Sequence, residues 1–280
     1  MILTKPCIEP EPFLREYTSQ DAILKYTKAT AGFGISYLLD HDYKQVYVEA
    51  AGCLPQSVAQ RGIRMLEFGC GGGMNLLHLV SVFGCGGFKI DSAIGTDFSP
   101  VLIEAANREA QSYLTPHQRR RVQFCVAKNE ALLDELSGAL GHEASNLENS
   151  FHFILGVNTI RYCHRLAKQF DCARDIFRLL APGGVCVVID MNNRFPAFRS
   201  SLKKKLHGKK QREEWLPSLG EYTAPFHQTG FEVLRSKHFC WIPHSGGRLL
   251  TSLLRATSPV LNMVASSRAM RSLVIARKPS

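Results

Sequence analysis

The sequence predicts an open α/β fold in which a mostly parallel sheet carries helices on both faces. Short apolar runs, such as those at 64–68, 122–127 and 185–190, have the length and composition of buried strands. Segments with apolar residues at helical spacing alternate with these runs, and this alternation is typical of parallel sheets. A chain of 280 residues with 45% hydrophobic residues can bury one large core, or one core plus a cap.

A glycine-rich turn follows the first predicted strand directly. Residues 67–73 read EFGCGGG, and an amphipathic helix comes next. Such a turn lies at the carboxyl end of its strand, where open α/β sheets bind ligands, and its glycines let the backbone approach a ligand closely. The dinucleotide pattern G-x-G-x-x-G does not fit, because Met74 and Leu76 occupy the third glycine position in the two registers. A glycine-rich turn without a ligand is the alternative interpretation.

Glu67 and the glycines that follow it resemble motif I of the class I S-adenosylmethionine-dependent methyltransferases, Glu-x-Gly-x-Gly-x-Gly. The chain looks closest to the ubiquinone/menaquinone-biosynthesis-type branch of small-molecule methyltransferases. The resemblance implies a Rossmann-like, mostly parallel seven-stranded sheet that ends in an antiparallel C-terminal hairpin. It also implies S-adenosylmethionine as cofactor and S-adenosylhomocysteine as product. The residues expected to hold the amino-acid end of the cofactor are Glu67, Gly69, Cys70, Gly71 and Gly73.

The second predicted strand, within 91–97, ends in Asp97. An acid at this position binds ribose hydroxyls in such folds, although Asp97 could also serve only as a turn or capping residue. Ser99 and Pro100 predict the start of a helix that runs to about Tyr113. Phe98 is a further candidate for cofactor contact.

The third predicted strand, 122–127, precedes the loop that contacts adenine in the resembled family. Lys128 stands where many relatives have an acid, so we expect Asn129, Glu130 or the backbone to provide this contact. Residues 137–150 are polar and contain glycine, which predicts a surface loop.

The fourth predicted strand with its loop, 151–159, resembles motif IV, which borders both the methyl group and the acceptor. Asn158 is therefore a cofactor-binding candidate. His164 and Tyr162 follow where a general base would stand, since histidine titrates near neutral pH; capping the next helix is the alternative for His164. His41 and His227 are weaker candidates for the base.

A helix at 175–180, a Pro-Gly-Gly turn at 182–184 and a buried strand resemble the fifth strand of the same family. Residues 231–234 and 272–277 resemble its last two strands. We expect residues 61–280 to form the methyltransferase domain, with a basic insertion at about 192–217 and a cap insertion at about 239–270. We expect residues 1–60 to form an N-terminal helical cap or lid whose aromatic residues could line an acceptor pocket: Tyr17, Tyr26, Phe33 and Tyr37.

The net charge of +10 is placed unevenly. Residues 1–193 carry 18 Lys/Arg and 20 Asp/Glu, a net of −2, whereas residues 194–280 carry 16 and 4, a net of +12. This asymmetry indicates an anionic acceptor, a membrane surface or a nucleic acid, with a merely solvated basic face as the plain alternative. Lys203 and Lys210, with Trp215 just beyond, fall in the basic insertion. The cap insertion combines basic and apolar residues, which could hold a lipid-like acceptor, lie on an anionic membrane, complete the pocket or form a homodimer.

The nine cysteines are scattered, odd in number and without a C-x-x-C pair. This distribution favours a reducing cytoplasm and disfavours a disulfide framework or a metal site. No apolar run is long enough to span a bilayer, and residues 1–12 do not resemble a signal peptide.

The sequence therefore predicts an S-adenosylmethionine-dependent enzyme that methylates a small molecule, anionic or lipid-like, by in-line transfer. Two other classes stay open. A nucleic-acid methyltransferase or binder would use the basic half, although no RNA-binding module is recognisable. A non-catalytic protein could retain the cofactor fold as a scaffold.

Overall fold

The computed structural model describes residues 14–27, 32–85, 87–196 and 216–280. In this part of the chain a single seven-stranded sheet has the order β3-β2-β1-β4-β5-β7-β6. All neighbouring strands are parallel except β7, which is antiparallel to both β5 and β6. The predicted fold, with its antiparallel C-terminal pair, is confirmed.

The sheet is formed by strands β1 Ile63–Phe68, β2 Ile90–Asp97, β3 Val122–Val126, β4 Phe151–Val157, β5 Leu180–Met191, β6 Glu232–Phe239 and β7 Arg271–Arg277. The helices are α1 Asp21–Tyr26, α2 Phe33–Leu38, α3 Lys44–Ala51, α4 Gln56–Arg61, α5 Met74–Cys85, α6 Pro100–Tyr113, α7 Pro116–Arg119, α8 Leu132–Leu140, α9 Ala144–Leu147, α10 Ile160–Arg165, α11 Gln169–Leu179, α12 Leu219–Thr229 and α13 Arg248–Ala265. A π-helical turn, Leu39–Tyr43, joins α2 to α3. Strand order reverses between β1 and β4, so ligands are expected at the carboxyl ends of these two strands.

Most helix boundaries follow from local sequence signals. Ser99 caps α6 by accepting a hydrogen bond from Leu102 N at 3.3 Å, and Pro100 occupies the first helical position as predicted. Helix α11 ends at Leu179, just before the Pro-Gly-Gly sequence, and Gly183 adopts φ +75°. That left-handed conformation favours glycine.

Residues 137–150 lie mostly at the surface as predicted, but they are not a single loop. Helix α8 extends into this region to Leu140, and the short helix α9 lies within it. Leu136 and Leu147 are buried in the core on this face of the sheet, and Gly141 ends α8 in a left-handed cap. The overall polar composition of this region hides its helices, because the few apolar residues that pack against the core are surrounded by polar ones.

The N-terminal helices pack directly on the sheet. Tyr43 and Tyr47 are fully buried in the same hydrophobic cluster as Leu273 and Ile275 of β7. The opposite face is covered by α8, α11 and α12, where Tyr222 and Phe226 are fully buried. Residues 33–54 therefore belong to the main core.

Helix α13 differs from the other described helices, because several of its apolar residues face solvent. Leu249, Leu253 and Met263 are 89%, 62% and 80% exposed. Across the described ranges, no helix is long and apolar enough to cross a membrane. The predicted basic insertion, including Lys203, Lys210 and Trp215, lies mostly outside the described residues.

Candidate functional site

The glycine turn between β1 and α5 has a backbone that only glycine adopts readily. Gly69, Gly71 and Gly73 have φ angles of +63°, +54° and +77°. A Cβ on Gly69 would also collide with the Thr159 hydroxyl, and a Cβ on Gly73 would meet the Phe124 ring at 2.7 Å. The backbone after β1 and Thr159 after β4 are thus so close that no side chain larger than that of glycine fits between them.

Asp97, at the end of β2, lies against this turn. Its Oδ2 accepts a hydrogen bond from Gly71 N at 2.9 Å, and its Oδ1 accepts one from Ser99 N at 2.9 Å. Burial raises the pKa of Asp97 to about 6, although both backbone hydrogen bonds oppose the rise. Each oxygen keeps accepting capacity beyond these bonds, which suits a vicinal diol.

Glu67 is completely buried beneath the turn. Its Oε2 accepts from Leu76 N at 2.9 Å, and its Oε1 accepts from Asn75 Nδ2 at 3.1 Å. Asn75 Oδ1 in turn accepts from the Tyr47 hydroxyl at 3.1 Å. Burial raises the pKa of Glu67 to about 8. In this structure Glu67 positions the turn and the start of α5.

Sequence reasoning missed Asn75 in this arrangement. Its one local signal is that it is the polar residue in the otherwise apolar run Met74–Leu77.

Asn129 belongs to a 3₁₀ turn, Asn129–Ala131, after β3. Its Nδ2 donates to Thr159 Oγ1 at 2.7 Å, so it bridges the ends of β3 and β4. Its Oδ1 is buried and has no hydrogen-bond partner within the described ranges. Glu130 is half-buried beside Asn129. Phe98 and Cys70 also lie at the glycine turn, and Cys70 N donates to Thr96 O at 2.7 Å. A buried acceptor that lacks a donor among the described residues, next to a buried carboxylate and a glycine turn, fits the expected cofactor.

The N-terminal segment 14–27 lies over the turn. Gly72 N donates to Tyr26 O at 3.1 Å, and Ser99 Oγ donates to Tyr17 O. The Tyr17 hydroxyl contacts the hydroxyl of Tyr162, and the Tyr17 ring packs edge-on against Phe98 at 6.2 Å. Of the four aromatic residues expected in the cap, Tyr17 and Tyr26 are thus at the site. Phe33 and Tyr37 instead lie next to Arg248 and Arg255 of α13.

The loop after β4 separates the two leading candidates for a general base. Tyr162 is half-buried beside Tyr17, and its hydroxyl accepts from Arg161 Nη2 at 2.8 Å. His164 is buried and packs edge-on against Tyr222 of α12 at 5.5 Å. Burial lowers its pKa, so it is neutral at pH 7. His41 and His227 are both exposed.

Two buried arginines lie at the carboxyl ends of β4 and β5, and neither was predicted as a site residue. Arg161 Nη1 donates to Asp190 Oδ1 at 2.9 Å. Arg271 Nη1 donates to Asn158 Oδ1 at 3.3 Å, and Asn158 has φ +57°. The predicted cofactor residue Asn158 is therefore turned toward an arginine. No group of three or more metal-binding side chains is found in the described part of the chain.

Comparisons with known proteins were made for sequence and for structure. Residues 41–244 match a family model described as a methyltransferase domain. No curated protein matches the sequence significantly.

Solved structures are similar in fold. An S-adenosylmethionine-dependent methyltransferase from Aquifex aeolicus is 15% identical, with a TM-score of 0.55 over 92% of this chain and 98% of that chain. A putative methyltransferase from Haloferax volcanii, solved in complex with the activator Trm112, is 13% identical, with a TM-score of 0.53 over 95% and 96%. A putative sarcosine dimethylglycine methyltransferase from Galdieria sulphuraria is 16% identical, with a TM-score of 0.54 over 84% of each chain.

Proposed function

The chain belongs to the methyltransferase-domain family, and from this premise we propose that it transfers a methyl group to a small molecule that is anionic or lipid-like. S-adenosylmethionine is the methyl donor; it is the cofactor named for the Aquifex aeolicus neighbour, and the site residues fit it. The observation that carries the proposal is the fixed contact between Asp97 and the Gly71 backbone at the point where strand order reverses. The ubiquinone/menaquinone-type branch remains part of this proposal.

The proposed cofactor residues divide by chemistry. Asp97 would accept hydrogen bonds from the ribose diol, and Asn129 Oδ1 would accept one from the adenine amino group, with Glu130 and Phe98 beside it. Gly69, Gly71 and Gly73, with Cys70, would allow the close approach of the amino-acid end. Glu67 would act from below, by holding the turn in place, and Asn158 would border the acceptor side.

The bound donor supplies a methyl group that is already activated on a sulfonium. The protein therefore has mainly to align the acceptor and exclude water, and positioning of this kind can contribute about 7–11 kcal/mol. Segment 14–27 already covers the turn and would exclude water from it. Of the two candidate side chains, Tyr162 lies beside that segment, so we place it ahead of His164 as the group that would hydrogen-bond and orient the acceptor.

We further assign an anionic membrane surface as the partner of α13. Its exposed apolar residues Leu249, Leu253, Val260, Met263 and Val264 lie at spacings that place them on one helix face. Arg248 and Arg255 are the charged residues of the helix, and no Asp or Glu follows Glu232 in the chain. An apolar face flanked only by basic charge is typical of helices that lie in the headgroup plane of anionic membranes.

The proposed function is tested by calorimetric titration with S-adenosylmethionine and S-adenosylhomocysteine. Wild type should bind both, and Asp97→Ala should bind at least tenfold more weakly. Asp91→Ala is the matched control, because Asp91 is exposed near the opposite end of β2 and should leave the affinity unchanged. Wild-type protein that binds neither compound would refute the assignment.

A further inference from the structure

Arg271 is a buried cation that no buried anion matches among the residues that the structure describes. It is the first residue of β7, is 2% exposed and pairs with Met191 at the carboxyl end of β5. Its Nε is buried without a hydrogen-bond partner, and within the ranges that the structure describes no carboxylate lies within 4.0 Å of it. Its Nη1 donates to the neutral Oδ1 of Asn158 at 3.3 Å, and its guanidinium also hydrogen-bonds with the neutral Tyr43 hydroxyl.

The neighbouring polar groups do not balance this charge. The Tyr43 hydroxyl is hydrogen-bonded to His244 Nε2 at 2.9 Å. Burial, together with the charges of Arg271 and Arg161, lowers the pKa of His244 well below its usual value, so it is neutral. Asp190 is already matched, because it accepts from Arg161 Nη1 at 2.9 Å, from Arg161 N at 3.1 Å and from Met191 N at 2.8 Å.

Two further carboxylates are buried in the described part of the chain, Glu67 and Asp97, and both belong to the glycine turn. The carboxyl ends of β4 and β5 therefore carry one buried positive charge in excess among the described residues. A guanidinium cannot lose its proton at any pH at which the protein folds, and an unmatched buried charge is costly. A ligand that supplies the missing negative charge would remove this cost.

The position of Arg271 places such a ligand next to the methyl-transfer site. Asn158, which contacts Arg271, precedes Thr159, which contacts both the Gly69 position and Asn129. The fork of N–H donors on a guanidinium matches the oxygens of a carboxylate or a phosphate. We propose that Arg271, with Asn158 and Tyr43 beside it, binds the anionic group, a carboxylate or a phosphate, of the methyl acceptor. This assignment rests on the proposed function of the same site.

The test uses the full chain saturated with S-adenosylhomocysteine and titrated with inorganic phosphate or with benzoate, against sodium chloride of equal ionic strength. Wild type should show saturable binding of at least one of the two anions, and the stronger binder identifies the chemical source. Arg271→Gln should weaken this binding at least tenfold. Arg268→Gln is the matched control, since Arg268 is exposed only three residues away and should leave binding unchanged.

Failure of this assignment is distinguishable from failure of the proposed function. Affinity for S-adenosylhomocysteine is measured in the same samples, and its absence would refute the function itself. If S-adenosylhomocysteine binds but neither anion does, or if Arg268→Gln loses as much affinity as Arg271→Gln, the role of Arg271 is refuted.

A second measurement needs no variant and covers the case in which Arg271→Gln does not fold. Crystals of the wild-type complex with S-adenosylhomocysteine are soaked in selenate, and the selenium is located by anomalous scattering. A peak beside the Arg271 guanidinium supports the proposal. Peaks confined to exposed basic side chains, or none, overturn it.

Discussion

At the scale of single residues, the site depends on carboxylates that the fold has buried. Glu67 and Asp97 both have raised pKa values because burial disfavours their charged forms, and both compensate with hydrogen bonds from backbone N–H groups. Burying these two carboxyl groups costs free energy, and both groups hold the glycine turn in one conformation. The pH dependence of stability should therefore report on the site.

Glu67 should make the protein less stable as pH rises through neutrality. Its folded pKa of about 8 lies above the ordinary value of 4.5, so between these values the folded state binds a proton that the unfolded state has lost. The free energy of unfolding then falls with rising pH, by up to about 1.4 kcal/mol per pH unit from this group. Chemical denaturation at pH 6.5, 7.0 and 7.5 should show this slope in wild type and a shallower one in Glu67→Gln. Asp97, whose pKa is about 6, contributes little in that window; equal slopes would contradict the assignment.

Gly69 should not tolerate even alanine. Its φ of +63° strains any residue with a Cβ, and that Cβ would collide with Thr159. We expect Gly69→Ala to lose about 1–3 kcal/mol of stability and to bind S-adenosylhomocysteine more weakly.

Gly138→Ala is the control for this substitution. Gly138 is an exposed residue of α8 with nothing within 4 Å of an added Cβ, and alanine there should stabilise the protein by about 0.5–1 kcal/mol. Thermal denaturation and titration of both variants check the pair; a Gly69→Ala protein as stable as wild type would show that the turn is not constrained.

At the scale of secondary-structure elements, the described helices differ in what their apolar residues do. Helix α8 buries its leucines against the sheet, whereas α13 directs Leu249, Leu253 and Met263 to solvent. We expect a helix face of this kind to bind a partner, and its flanking arginines would favour an anionic one.

The full chain should therefore sediment with vesicles that contain phosphatidylserine and not with vesicles of phosphatidylcholine alone. The double substitution Leu253→Ser with Met263→Ser should reduce the bound fraction at least tenfold, since each buried side chain contributes about 1.5–3 kcal/mol. Val48→Ser, at a 42% exposed position of α3, is the control. Equal binding to both vesicle types would contradict an anionic partner, and a concentration-dependent dimer lost in the double variant would identify a second copy of the chain instead.

Local sequence signals are sufficient to predict the elements around the glycine turn. The glycine turn, the acid at the end of β2 and the Ser99–Pro100 cap each follow from adjacent residues, so the sequence predicts them well. The groups around Arg271 could not be predicted in this way, because Arg271 and Asn158 are 113 residues apart and Arg161 and Asp190 are 29 apart. Their proximity depends on strand order, which no local pattern encodes.

At the scale of the whole molecule, the N-terminal helices and the sheet share one core. The sequence predicts a boundary near residue 60 between an N-terminal cap and the main domain. In the structure, however, Leu38, Tyr43 and Tyr47 pack in the same hydrophobic cluster as residues of β4, β5 and β7. Folding of the two parts should therefore be coupled.

Differential scanning calorimetry should show one cooperative transition for the full chain. S-adenosylhomocysteine at about 100 times its dissociation constant should add roughly 2.7 kcal/mol to the free energy of unfolding and shift this single transition upward. Asp97→Ala, which is expected to bind at least tenfold more weakly, should gain about 1.4 kcal/mol or less at the same ligand concentration and shift correspondingly less. A separate transition at lower temperature would mean that the N-terminal helices unfold on their own.

The contacts of segment 14–27 with the glycine turn also bear on the order in which opening of this segment and ligand binding occur. Gly72 N is hydrogen-bonded to Tyr26 O, and Tyr17 contacts Tyr162. We expect these contacts to break before a ligand reaches Asp97. The observed rate of ligand binding would then stop rising with concentration and level off at the rate of opening. If product leaves by the same route and opening is slower than the chemical step, the number of turnovers per second would depend on the contacts of Tyr17 and Tyr26.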